Sequence, residues 1–363
     1  MIRRNLILSV LLEPRRAASL SVLDWDLLIR QGRSANLLAR LSDALELEDL
    51  ARYAPAAARH HLLSATRIAQ RQSLAIQWEI ECIRTAVSKA CSRCVLLKGA
   101  AYVACELPQA RGRIFADVDI LVAKVELPAV ESALMMHGWR GEEMSAYDQR
   151  YYRRWMHEIP PMHHAQRGTS IDVHHTILPE TARIKVNTPA LFDGVAPVQG
   201  AAGLHVLQPT DMVLHSATHL FHEGELDNGL RDLFDLDAML RHFGTDPVFY
   251  QQLIERAATL GLGRPLFYAL RYTCRSLRTP IPSEAVKAAS IDSPGMLILW
   301  LLDWCYHRAL QPPHISCDDL TTRIARLLLY VRSHYLRMPF HLVVPHLARK
   351  AWMRMWPNRA DAA

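Results

Sequence analysis

No run of apolar residues in this 363-residue chain approaches the roughly 20 positions that a membrane-spanning helix requires. The longest, Gly295 to Leu302, stops at Asp303, so no transmembrane segment is expected. The N-terminus, Met1 to Leu12, has the basic and apolar parts of a secretory leader, but Glu13 and Pro14-Arg-Arg16 stand where small residues would mark a cleavage site. It reads as a first helix, and the expected location is cytoplasmic. Cysteine is scarce: 7 residues scattered along the chain make no disulfide framework, and their odd number agrees with a reducing compartment. Repeats of fixed length are absent, and so is any recognisable nucleic-acid-binding module.

What is present is the material of an ordinary globular protein. Half of the residues are hydrophobic and 21% are charged, enough to bury two or three packed units. Residues 1–90 read as an N-terminal helical region, with apolar positions three and four apart and glycine-poor stretches such as His61 to Ile76. Over 91–203 the pattern turns to mixed strands and helices: strands at Arg93 to Leu97 and Asp117 to Val122, helices at Ala100 to Cys105 and Leu127 to His137. A hairpin follows, His157 to Gln166 against Thr169 to His175, turning at Arg167-Gly168. Proline and glycine then rise up to Gly203, and 204–363 reads as a C-terminal helical domain. The fold class expected is α+β, a small mixed β-sheet core flanked by N-terminal and C-terminal helical regions.

Two carboxylates carry the chemical signal. Side chains alternate faces along a strand, so Asp117 and Asp119 share one face while Val118 and Ile120 point into the core. Roughly 6 to 7 Å apart, they repel by about 3 kcal/mol at an effective dielectric near 20, so keeping both ionised calls for a cation. On the hairpin, burial of Ile171 and Val173 sends Asp172 and His174 to the opposite face together. Carboxylate oxygens suit magnesium, with manganese as its substitute. Upstream, Lys98-Gly99 falls where a strand turns into a helix, a place where a glycine leaves room for phosphate and a lysine adds a point charge. Arg113, four residues before Asp117, can serve the carboxylates or a triphosphate. A net charge of +6 favours such anionic ligands.

Taken in order, Leu97-Lys-Gly-Ala100, Arg113, Asp117 to Val122 and Ile171-Asp-Val-His174 resemble the polymerase-beta-like nucleotidyltransferase superfamily, in its bacterial uncharacterised branch with a Leu-Lys-Gly motif. The likeness runs weakly on into Asp211 to Leu240. It implies metal binding and catalysis by Asp117, Asp119 and Asp172, and nucleotide binding by Lys98, Gly99, Ala100, Arg113 and His174. The implied reaction moves a nucleoside monophosphate from a nucleoside triphosphate, ATP by expectation, to a hydroxyl of a small-molecule, peptide or saccharide acceptor and releases pyrophosphate; nucleic acid stays open as an acceptor. Gly99-Ala100 lacks the serine hydroxyl that other superfamily members carry at the phosphate turn.

Other readings compete. A catalytically silent nucleotide-binding or accessory protein of a biosynthetic pathway would keep the same residues. His215, His219 and His222, with Glu223 or Asp211 nearby, have helical spacing suited to zinc, but a helix face packed on the catalytic domain is the favoured reading. Cys91 and Cys94 read as a helix end entering a buried strand. Arg231 and Asp235, four apart, can form a helical ion pair or line the cleft, the pair being the preferred reading. The basic, aromatic stretch from Pro345 to Trp356 reads as a packed terminal helix rather than a membrane contact.

Overall fold

The computed structural model describes residues 5–338 except 145–148, 150, 151, 154, 223 and 225. Glu223 and the Pro345 to Trp356 stretch lie outside the described residues. Four helices open the chain: α1 (Leu6–Leu12), α2 (Val22–Ser34), α3 (Leu38–Leu47) and α4 (Ala56–Val87). Ser21 starts α2 with a capping box shared with Asp24, which satisfies two otherwise orphaned backbone N–H groups. No glycine or proline interrupts the 32 residues of α4, and its buried positions, among them Leu62, Ala69, Ile76, Ile80 and Ile83, keep to one stripe.

The chain then builds a seven-stranded mixed sheet. In sequence these strands are β1 (Cys94–Leu96), β2 (Asp117–Leu121), β3 (Trp139–Gly141), β4 (Met162–His164), β5 (Ser170–His174), β6 (Val195–Pro197) and β7 (Leu204–Leu207). Their order across the sheet is β3-β4-β5-β2-β1-β7-β6. All three residues of β1 are buried, as suits a central strand flanked by antiparallel β2 and parallel β7. Helices α5 (Lys98–Ala104), α6 (Leu127–Met136) and α7 (Thr188–Asp193) connect the strands. The fold is therefore α+β as expected. Among the described residues β3, β6, β7 and α7 were not anticipated; β7 stands at Leu204–Leu207, where the chain was read as helical. Only four residues long, β7 has an apolar alternation too short to register.

Beyond β7 come α8 (Pro209–His222), α9 (Gly229–Phe243), α10 (Phe249–Leu260), α11 (Gly263–Leu277), α12 (Ser283–Ala289), α13 (Met296–Ala309) and α14 (Leu320–Arg337). Buried apolar side chains from α1 through α14 form one continuous cluster. No single described helix is long and apolar enough to cross a membrane; α12 and α13 pass a length-and-composition test only jointly, across a sharp bend.

The hairpin forms around Gly168, whose φ of +67° suits a residue without a Cβ. Arg167 beside it reaches back to α4, donating from Nε and Nη2 to the two carboxylate oxygens of buried Glu79, each at 2.9 Å. That two-pronged bond pins the hairpin to the helical layer. β5 then runs parallel to β2 with Asp117 beside Ser170, Asp119 beside Asp172 and Leu121 beside His174.

Candidate functional site

Parallel neighbours in register present their side chains on the same face, so the β2–β5 pairing places Asp117, Asp119, Asp172 and His174 together on one side of the sheet. The other face of both strands, with Val118, Ile120, Ile171 and Val173, is buried in the core. Alternation thus places the acids, and the long-range register brings the third to the other two.

Asp119 is buried, 2% exposed, and held by two cationic or hydrogen-bonding partners on one oxygen. Lys98 Nζ donates to its Oδ1 at 2.9 Å and His174 Nε2 donates to the same atom at 3.0 Å. Oδ2 receives no hydrogen bond among the described residues. Burial pushes the Asp119 proton affinity up, but Lys98 and His174 outweigh it and hold the carboxyl well below its ordinary range. His174 is shifted the other way: burial opposes its charged form, yet the bond to Asp119 and the charge of Glu158 raise it above the usual histidine value.

The other two acids have no such partner. Asp117 makes no hydrogen bond or ion pair among the described residues, and burial followed by the charge of Asp119 raises its proton affinity against Lys98, Arg113 and His219. The Oδ1 of Asp172 is buried without a hydrogen bond. Burial first, then Asp119, Glu158 and Asp117, push that carboxyl up to about 7. Each of the three aspartates therefore keeps at least one oxygen unbonded on a shared face, and hard carboxylate oxygens are the donors that magnesium or manganese takes. Their oxygens do not, however, close into a group lying within 4.8 Å of one another; among the described residues that spacing is met by His157, Glu158 and His174. Mutual repulsion and the pull of Lys98 on Asp119 account for the open arrangement.

Lys98 opens α5 with φ at +41°, a conformation that costs a residue with a side chain about 1–3 kcal/mol. The strain aims the lysine across β2 at Asp119 instead of out to solvent. At Gly99 a Cβ would lie 2.7 Å from Phe115 Cδ1 and 2.8 Å from Arg113 Nη1, so the packing of those side chains calls for a glycine there. Ala100 is 1% exposed and packs in the core.

Lys98, Gly99, Arg113, Asp117 and Asp119 line a cleft of about 320 Å³. Its opposite wall is Ser216 and His219 from α8 with Asn228, Arg231, Asp232 and Asp235 at the start of α9. Arg113 spans the two sides: its Nε donates to Asp235 Oδ2 at 2.8 Å, while Arg40 Nη2 from α3 donates to Asp235 Oδ1 at 2.6 Å. The helical pair expected between Arg231 and Asp235 is replaced by this arrangement, and Arg231 instead contacts Asp232 at 2.7 Å. Two guanidinium groups from distant segments satisfy both oxygens of this buried carboxylate. Spacing along the chain carries no sign of such a contact.

The zinc reading of α8 does not hold among the described residues. His215 and His222 are buried, His219 faces the cleft, and Asp211 is taken by Arg256, which donates from Nε at 2.8 Å and Nη2 at 2.7 Å. Glu158 was missed in the sequence because an isolated bridge to His174, beyond the regular hairpin, brings it to the site.

A family model described as an uncharacterised nucleotidyltransferase matches residues 21–277. No curated protein and no solved structure matches the chain.

Proposed function

The chain belongs to this uncharacterised nucleotidyltransferase family, and on that premise we propose that the cleft over β2 transfers a nucleoside monophosphate from a nucleoside triphosphate, ATP by preference, to a hydroxyl of an acceptor. The observation that carries the reading is the set of three aspartates on one sheet face, each with an unbonded oxygen, beside Lys98. Asp117 and Asp119 would hold magnesium or manganese, with Asp172 as the third acid. Bound there, the cation would neutralise phosphate charge and orient the triphosphate, the main demand of phosphoryl transfer.

The protein's own groups do the rest. Lys98 and His174 keep Asp119 ionised and fixed. Arg113, tied to Asp235, offers its remaining guanidinium N–H groups near Gly99, and Arg231 adds positive charge on the facing wall. The acceptor oxygen attacks the α-phosphorus, the bond to the β-phosphate breaks, and pyrophosphate leaves. The hydroxyl proton passes to Asp172, the acid beside Asp119 on the neighbouring strand.

Titration calorimetry with ATP tests the reading, with and without magnesium, on the native chain and the Asp117→Asn/Asp119→Asn variant. Magnesium-dependent binding by the native chain, lost in the variant, is expected. Equal binding by both removes the metal assignment.

A further inference from the structure

We propose that His157, Glu158 and His174 form a zinc site beside the aspartate cleft. The inference stands on its own donor set and does not rest on the transferase reading. Just before the hairpin the chain turns alongside the end of β5: Ile159 N donates to Val173 O at 3.1 Å, and His175 N donates to His157 O at 2.9 Å. This alignment brings two consecutive side chains, His157 and Glu158, up to His174. Glu158 Oε2 lies 3.4 Å from His174 Nδ1 and 3.8 Å from His157 Nε2, and the two imidazole rings are 5.2 Å apart.

Four-coordinate zinc with bonds of about 2.0–2.1 Å to nitrogen and oxygen sets its ligand atoms ~3.3 Å apart. The 3.4 Å separation already has that value, and the 3.8 Å one needs a closure of a few tenths of an ångström. Two imidazole nitrogens and one carboxylate oxygen make a recognised three-ligand zinc set, with a fourth position left over.

A second observation points to a ligand independently of the cluster. His174 is 2% exposed, and its Nδ1 is buried with no hydrogen-bond partner. Its other nitrogen is committed, donating to Asp119. A ring with its proton on Nε2 holds a lone pair on Nδ1, 3.4 Å from Glu158 Oε2. That nitrogen lies beside Glu158 without completing a hydrogen bond, and zinc would bond to both groups. The resulting order, carboxylate to histidine to metal, is the common way in which a ligating ring is oriented. Zinc would then lock His174 and, through it, the position of Asp119.

The test uses the full chain, stripped with chelator, loaded with zinc and desalted, with bound metal counted by mass spectrometry. About one zinc per chain is expected in the native protein and in Asp117→Asn, and less than about a tenth in His157→Gln and Glu158→Gln. Melting curves guard against variants that fail to fold: zinc should raise the melting temperature of the native chain and leave that of Glu158→Gln unchanged. The proposal is overturned if the native chain retains no zinc, if His157→Gln and Glu158→Gln retain as much as it does, or if Cys91→Ser/Cys94→Ser alone abolishes retention.

Discussion

Replacing Asp235 by asparagine keeps the shape of the side chain and removes the charge that two guanidinium groups share. Asp235 is 2% exposed, Arg113 is 9% exposed, and the bonds measure 2.8 and 2.6 Å. At a charge separation near 4 Å and an effective dielectric of 20, each pair is attracted by about 4 kcal/mol before desolvation is subtracted. Most of that is offset when the ions leave water, so the pairs add little net stability, yet deleting one partner strands the others. The expected loss for Asp235→Asn is about 3–5 kcal/mol, read as a fall in the urea midpoint at unchanged slope. Because stranded charge causes the loss, removing all of it at once should reverse most of the damage. Arg40→Met/Arg113→Met/Asp235→Leu is expected to return to within about 2 kcal/mol of the native chain. A loss below about 1 kcal/mol in Asp235→Asn, or a triple variant less stable than the single one, refutes the reasoning.

Three further outcomes are expected. Gly99→Ala should cost about 1–3 kcal/mol by overpacking against Phe115 and Arg113, and Phe115→Leu in the same chain should restore part of it; an unchanged melting temperature contradicts that packing. In metal-free protein the Asp172 carboxyl titrates at about 7 when folded and near 3.9 when unfolded. Between those values the folded state holds the extra proton, so stability falls as pH rises, by at most about 4 kcal/mol. Asp172→Asn should flatten that fall between pH 4 and 7, and the same slope in both chains excludes it. Lys98→Met should raise the proton affinity of Asp119, so that stability on the acid side is lost at higher pH than in the native chain; coincident acid-unfolding curves contradict the ion pair.

Local periodicity made much of this fold legible. Alternation in Asp117 to Val122 and Thr169 to His175 correctly gave the two acid-bearing strands and the faces they present, because burying Val118, Ile120, Ile171 and Val173 dictates both. The turn at Gly168 followed from backbone freedom alone. What stayed hidden depends on contacts between residues far apart in the chain. Arg113 and Asp235 are 122 positions apart, so helical spacing pointed to Arg231 instead. The bridge that carries Glu158 to His174 lies outside any regular hairpin register. At Gly99 the residue type was legible but the crowding by Phe115 and Arg113 was not, since those side chains reach it only in the folded chain.

On the proposed reading Asp117 and Asp119 hold a divalent cation beneath a triphosphate, and Asp172 beside them takes the acceptor proton. Electron paramagnetic resonance of manganese, titrated into the chain with a non-hydrolysable ATP analogue, probes that cation site. Protein-bound manganese is expected in the native ternary complex and is expected to be lost in Asp117→Asn and in Asp119→Asn. Identical manganese binding by the native chain and both variants would overturn the reading.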